Sequence, residues 1–111
     1  MRLAELEPQF LRHEYRDGSE YHVFVDSLGE ADGIMFLCPV CWTANKGPIG
    51  THQVICWRPR IAPDIHPKPG RWELIGSSYA DLSLVAGSSS VLLTSGCNAH
   101  FFVRSGQIEV C

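Results

Sequence analysis

The sequence predicts a mainly β protein: one small domain of short antiparallel strands and hairpins, with zinc-ribbon-like knuckles and little helix. Three observations predict it. Helical periodicity is poor throughout, short apolar or alternating segments are separated by Gly, Pro, Asn and Asp, and the C-terminal end carries a clear hairpin signal. The 111 residues suit a single domain, 1–111, and 45% apolar against 19% charged residues is a globular composition. A chain of this size buries only about 60–70% of its unfolded surface, so a metal or covalent staple would help its stability.

In chain order, the first dozen residues are expected to make one or two helical turns, stopped at Pro8, because proline lacks the donor a helix needs. Asp17-Gly18 reads as a turn into a strand over Glu20–Asp26, where Tyr21, Val23 and Val25 alternate with His22, Phe24 and Asp26. Gly33 to Leu37 is a short apolar run leading straight into Cys38, and Gln53 to Trp57 is a further strand. Residues 58–70 hold four prolines and are expected to form a long surface loop rather than a central strand. Arg71–Ile75, Leu82–Val85 and Val91–Thr94 follow as three short strands. Finally, Phe101–Arg104 and Gln107–Val110 flank Ser105-Gly106, a two-residue connection suited to a tight reverse turn, with Val103 and Ile108 placed to pair beside it.

Charge narrows the function classes. Nine basic and twelve acidic residues give a net charge of −3, which argues against a chain built to coat nucleic acid. One local exception is the segment 58–71, where Arg58, Arg60, Lys68 and Arg71 face a single acid, Asp64. No stretch approaches the ~20 apolar residues of a membrane-spanning helix. The N-terminal residues lack the apolar core of a secretory signal, so a cytoplasmic location is expected. Disulfides are rare there, and five cysteines call for another explanation.

Two motifs supply one. Cys38-Pro39-Val40-Cys41 and Cys97-Asn98-Ala99-His100 each set two ligand types three positions apart, next to predicted strands. In a tight turn that spacing lets both side chains converge on one ion while backbone amides soften the thiolate charge. Three cysteines and a histidine make a common closed tetrahedral zinc set. Cys38, Cys41, Cys97 and His100 are therefore the expected ligands of one structural Zn2+. Gly96 supplies the backbone freedom such a knuckle requires. The 55 residues between the pairs exceed the spacing of compact zinc ribbons, although closure entropy rises slowly with loop length. Buried thiols without metal and a redox dithiol are the alternatives. The redox alternative is weak, because no helix start after a strand is expected at Cys38 to lower its pKa.

Cys56, between Ile55 and Trp57, is expected to be a buried small hydrophobe, with replacement of His100 as fourth ligand its functional alternative. Cys111 is expected to be an exposed or edge thiol. His13, His22, His52 and His66 show no spacing that groups them, and each is expected to be a surface or half-buried residue. Trp42, directly after the first pair, and Phe101, directly after the second, are candidates to shield the metal or to meet a partner, as is Cys56. The three tryptophans are otherwise expected in the core. An open zinc would need a general base nearby, and Glu109 or Asp26 could serve only by fold geometry. No serine elbow, phosphate loop, dinucleotide glycine pattern or deaminase signature is present, so a non-enzyme is favoured.

The chain resembles a family of small, poorly characterised zinc-binding proteins of bacteria and their phages. The similarity runs over most of its length. It includes Leu6-Glu7-Pro8-Gln9-Phe10, the run into Cys38-Pro39-Val40-Cys41, Trp72-Glu73-Leu74, Leu82-Ser83-Leu84 and Ser88 to Val91. Its most specific block is Gly96-Cys97-Asn98-Ala99-His100-Phe101-Phe102-Val103 with Gly106-Gln107-Ile108. The chain departs from the family at Trp42, where a small residue often stands, and in the length of the 58–70 insert. The resemblance implies zinc on Cys38, Cys41, Cys97 and His100. Some members sit near bacterial ubiquitin-like conjugation genes, which implies an adaptor role. The expected function is a zinc-binding, non-catalytic module acting through protein contacts, with a protein partner or self-association. It could be a phage accessory or virion-associated protein, in the host cytoplasm or the virion. The alternatives are a metalloenzyme with an open zinc position and a nucleic-acid binder using the 58–71 basic loop.

Overall fold

Among the described residues, nine strands and one short α-helix are built mostly from segments that alternate or run apolar. The computed structural model describes residues 1–67, 70–85, 90–93 and 97–111. A 3-10 turn over Leu3–Leu6 ends at Glu7, just before Pro8, and buries Leu3 and Leu6. The strands are β1 (Gln9–Arg16), β2 (Ser19–Val25), β3 (Gly33–Leu37), β4 (Gln53–Trp57), β5 (Glu73–Ile75), β6 (Ser83–Val85), β7 (Ser90–Leu92), β8 (His100–Arg104) and β9 (Gln107–Val110). A second 3-10 turn, Leu28–Glu30, links β2 to β3, and helix α1 (Pro39–Asn45) lies between β3 and β4. The described chain is thus mainly β, in three antiparallel sheets ordered β2-β1-β3-β4, β5-β6 and β7-β8-β9.

Both expected two-residue turns form. Asp17 and Gly18 take φ of 52° and 79°, and Ser105 and Gly106 take 49° and 75°, the left-handed pair that matches the twist of a hairpin. Val103 pairs with Ile108 as expected. Gly106 is also held from outside the hairpin: a Cβ there would lie 2.0 Å from the Ala80 carbonyl oxygen. Thr94, Gly96 and Ser88 lie outside the described residues, as does Lys68.

The four-stranded sheet is covered on both faces where β3, β4 and the start of β1 pair. Phe10, Ile34, Phe36, Val54 and Cys56 alternate onto one face and join the main core with Leu74, Leu84, Val91, Phe101 and Val103 of the smaller sheets. Leu11 and Trp57 point to the other face, where Ile61 and Ile65 of the proline-rich loop cover them in a second core. A strand covered on both sides reads as an unbroken apolar run, which is how Gly33 to Leu37 appears in the sequence. Gly33 has no room for a side chain: a Cβ would lie 2.6 Å from both the Cys56 carbonyl oxygen and Trp57 Cε3.

The loop after β4 corrects the expected basic patch. Arg71 donates to five carbonyls, those of Ile61, Ala62, Ile65, Pro67 and Gly70, at 2.6–3.2 Å. Arg58 donates to Ala31 and Leu74, and Arg60 pairs with the Asp32 carboxylate at 2.8 Å and also reaches the Ala31 carbonyl. Arg58 and Arg60 tie the start of the loop to Ala31, Asp32 and Leu74, and Arg71 closes the loop on itself. They do not form a free phosphate-binding face, because a proline-rich segment with few partners of its own needs donors for its carbonyls.

Candidate metal centre

Each half of the centre is placed by a break in a strand. β3 ends at Leu37, and Cys38 becomes the cap residue of α1, with φ −61° and ψ 123°. Pro39 at the first helical position needs no donor there and fixes φ for the helix. Cys41 follows one turn later on the same side, so both sulfurs face one point. A helix start is therefore present at Cys38, contrary to expectation; the apolar run of β3 and the Pro-Val pair conceal it in the sequence. Cys97 lies in the turn before β8, ahead of Asn98, whose φ of 53° reverses the chain. The Leu93 amide donates to the Ala99 carbonyl at 2.8 Å and fixes that turn against β7.

The third contributor is His52. β3 and β4 pair with Leu37 opposite Gln53, so the residue before β4 falls beside the residue after β3. The Cys38 amide donates to the His52 carbonyl at 2.9 Å. Cys38, Cys41, His52 and Cys97 each offer a ligand atom, all within 4.8 Å of one another. Cys38 is buried, Cys41 and Cys97 half-buried, and His52 exposed at the rim.

His52 thus occupies the fourth position that the sequence assigns to His100, which lies outside this group. The reason is strand alternation. Phe101 and Val103 of β8 turn into the main core, and His100 shares the other face with Phe102, their ring centroids 6.2 Å apart. The three-residue spacing from Cys97 converges only in a compact knuckle, and here the strand begins at His100. His52 could have been found by pairing the two predicted strands: Gly33–Leu37 against Gln53–Trp57 sets it opposite Cys38.

The donor geometry fits a tetrahedral ion. Cys38 Sγ and Cys97 Sγ are 3.7 Å apart and His52 Nε2 is 3.4 Å from Cys97 Sγ. With metal–sulfur bonds of about 2.3 Å and metal–nitrogen bonds of about 2.05 Å, tetrahedral edges come to about 3.8 Å and about 3.5 Å. The other ring nitrogen, His52 Nδ1, stands 3.3 Å from the Gln53 carbonyl, an arrangement that leaves Nε2 available as a ligand. Four protein ligands of this kind form a closed set, with no carboxylate in the group.

Electrostatics agree. Burial raises the Cys38 thiol, partly offset by the Cys41 and Val40 amides. Burial and the Cys97 and Cys38 sulfurs push Cys41 up to about 11. For Cys97 burial acts upward but is outweighed by His52, the Ala99 amide and the other two thiols, leaving it at about 7. Crowded sulfurs of this kind can share one negative charge but not three, unless a cation is present.

The remaining candidates take simpler roles. Cys56 is fully buried opposite Ile34, and burial alone holds its thiol far above the usual range, so it is a core residue and not a ligand. Cys111 is exposed. Trp57 is fully buried and donates to the His66 carbonyl at 2.8 Å; Trp72 is half-buried and donates to the Ser90 carbonyl at 3.2 Å. Trp42, in α1, is half-buried against the main core, and Phe101 meets Phe36 edge-on at 6.0 Å. Glu109 is engaged by Arg104 at 3.1 Å, and Asp26 is exposed. Among the described residues no helix is long and apolar enough to cross a membrane. Comparison of the chain with family models, with curated proteins and with solved structures finds no match.

Proposed function

We propose that this protein is a non-catalytic module, held by one structural zinc ion on Cys38, Cys41, His52 and Cys97, that acts through protein contacts. The observation that carries the zinc assignment is the convergence of three sulfurs and one imidazole nitrogen at tetrahedral spacing. Thiolates and imidazole together favour zinc over harder cations, and four protein ligands leave no position for a reacting water.

The contact role is supported by what the centre holds in place. Residues 38–52 leave the sheet between β3 and β4 and return to it. They are closed at the base by the Cys38–His52 backbone hydrogen bond and by three of the four ligands. Thr51 stiffens the return, with its amide donating to the Pro48 carbonyl at 3.0 Å and its hydroxyl to that of Gly47 at 2.8 Å. At the tip stands Ile49, 89% exposed. A pre-organised loop presenting an apolar residue suits an adaptor or an accessory component of a bacterial or phage assembly, the role that the family resemblance suggests.

Native mass spectrometry of protein expressed with zinc tests the centre. One zinc per chain is expected, absent in Cys97→Ser, weakened in His52→Ala and retained in His100→Ala. A folded, metal-free wild type refutes it. Ile49→Asp should keep its zinc yet lose self-association or partner capture relative to wild type; unchanged association removes the loop as the contact surface.

A further inference from the structure

The β1–β2 hairpin carries a second constellation, independent of the cysteine centre. Beyond Leu11, β1 pairs only with β2, so the hairpin extends from the sheet as a two-stranded arm. His13 stands directly opposite His22, and Tyr15 directly opposite Glu20. Opposed residues share a face, and the next pair along that face is its diagonal neighbour, so His13, His22 and Glu20 lie side by side on one face of the hairpin.

His13 is the unusual member. Its side chain is only 7% exposed, boxed in by Tyr15, Trp57 and His22 at ring-centroid distances of 4.9, 5.8 and 6.0 Å. Its Nε2 is buried with no hydrogen-bond partner. The nearest acceptor is Glu20 Oε1 at 3.8 Å, beyond hydrogen-bonding reach, and that carboxylate already accepts from the Tyr15 hydroxyl at 3.2 Å. A buried unpartnered nitrogen in a folded protein calls for an ion or water that satisfies it. Trp57, anchored to the His66 carbonyl, packs against both imidazoles and limits their movement.

We infer that His13 Nε2, His22 and Glu20 form a binding site for a divalent transition-metal ion such as Ni2+ or Cu2+. Imidazole and carboxylate together suit these ions. Two imidazoles on one ion bring their centroids to about 5 Å, and His22, which is exposed, needs only a small side-chain rotation to close from 6.0 Å. Three protein ligands leave positions open to solvent, unlike the closed cysteine centre.

The test titrates Ni2+ into zinc-loaded protein and follows the imidazole resonances by NMR, with calorimetry for stoichiometry. One Ni2+ per chain is expected, broadening His13 and His22 first. His22→Gln and Glu20→Gln, both at exposed positions that spare the fold, should weaken binding by at least about tenfold, the step that outer-shell partners alone command. His100→Gln, which removes an imidazole outside both clusters, should leave this binding unchanged, and the zinc retained in each variant shows that the cysteine centre is read separately. Broadening spread equally over His66 and His100, or affinity unmoved by His22→Gln, overturns the site and leaves a trapped water as the partner of His13.

Discussion

His52, the fourth donor of the cysteine cluster, shows where residue-level reading reached its limit. The three cysteines were legible because Cys38-x-x-Cys41 is a local spacing and Cys97 lies beside a turn. His52 was not, because nothing within a few residues of it marks it; only the pairing of β3 with β4 brings it beside Cys38. His100 was favoured by a spacing that strand alternation cancels. Thiol reactivity should report this arrangement in metal-free protein. Cys97, at about 7, is the thiol that His52 and the Ala99 amide ionise most readily, while Cys41 is raised to about 11. Because the thiolate is the nucleophile, alkylation of Cys97 should rise with pH through about 7 and level off above it, with Cys41 lagging far behind. Peptide mapping after brief iodoacetamide treatment at several pH values checks the order. Zinc should suppress labelling of all three but not of the exposed Cys111, and Cys56 should stay unlabelled while the fold is intact. Cys41 reacting before Cys97 contradicts the proposed electrostatics.

Among the elements, the strands with one clear apolar face or two buried ones were readable, and the loop after β4 was readable as a loop. What the sequence concealed was β1 and the work of the arginines. Beyond Leu11, β1 reads Arg12-His13-Glu14-Tyr15-Arg16 and sets a histidine rather than an apolar side chain against Trp57, so no apolar alternation marks it. The arginines of 58–71 look like a basic surface until their carbonyl partners are known. Arg71→Ala should cost about 2–3 kcal/mol in urea unfolding, since five carbonyls lose a charged donor, although water recovers the exposed ones. Limited proteolysis should then cut within 58–67 first. Arg71→Lys should rescue little, because an ammonium cannot span the same fork of acceptors. Full stability in Arg71→Ala means the loop is held without it, by Ile61 and Ile65 and by the Arg58, Arg60 and Trp57 hydrogen bonds. Gly33→Ala tests the sheet itself: its Cβ meets backbone on β4, and an overpacking loss of about 1–3 kcal/mol or more is expected from the same unfolding curves.

At the scale of the molecule, the long gap between the cysteine pairs finds its explanation. Residues 42–96 contain β4, β5, β6 and β7, so the centre does not close an idle loop. With an ion on its four donors it would fasten the β3–α1–β4 corner of the largest sheet to the turn that opens the final hairpin. That hairpin is otherwise tied to the rest by backbone bonds from Leu3 to Gly106, from Ile108 to Met1 and from Gly106 to Leu82, and by the shared core. A fold with this much independent packing should outlast loss of the metal but become weaker, unlike a zinc finger that unfolds outright. A ligand present at a hundredfold its dissociation constant stabilises by about 2.7 kcal/mol, which for a domain of this size corresponds to a Tm shift of roughly 10–20 °C. Chelation should therefore lower Tm by that order while the circular dichroism at low temperature stays β-rich. Cys97→Ser should show the same lowered Tm with or without chelator, because both act through one bound ion and their effects cannot add. If instead chelator and substitution lower Tm separately and additively, Cys97 stabilises the fold by packing alone and the metal must bind elsewhere.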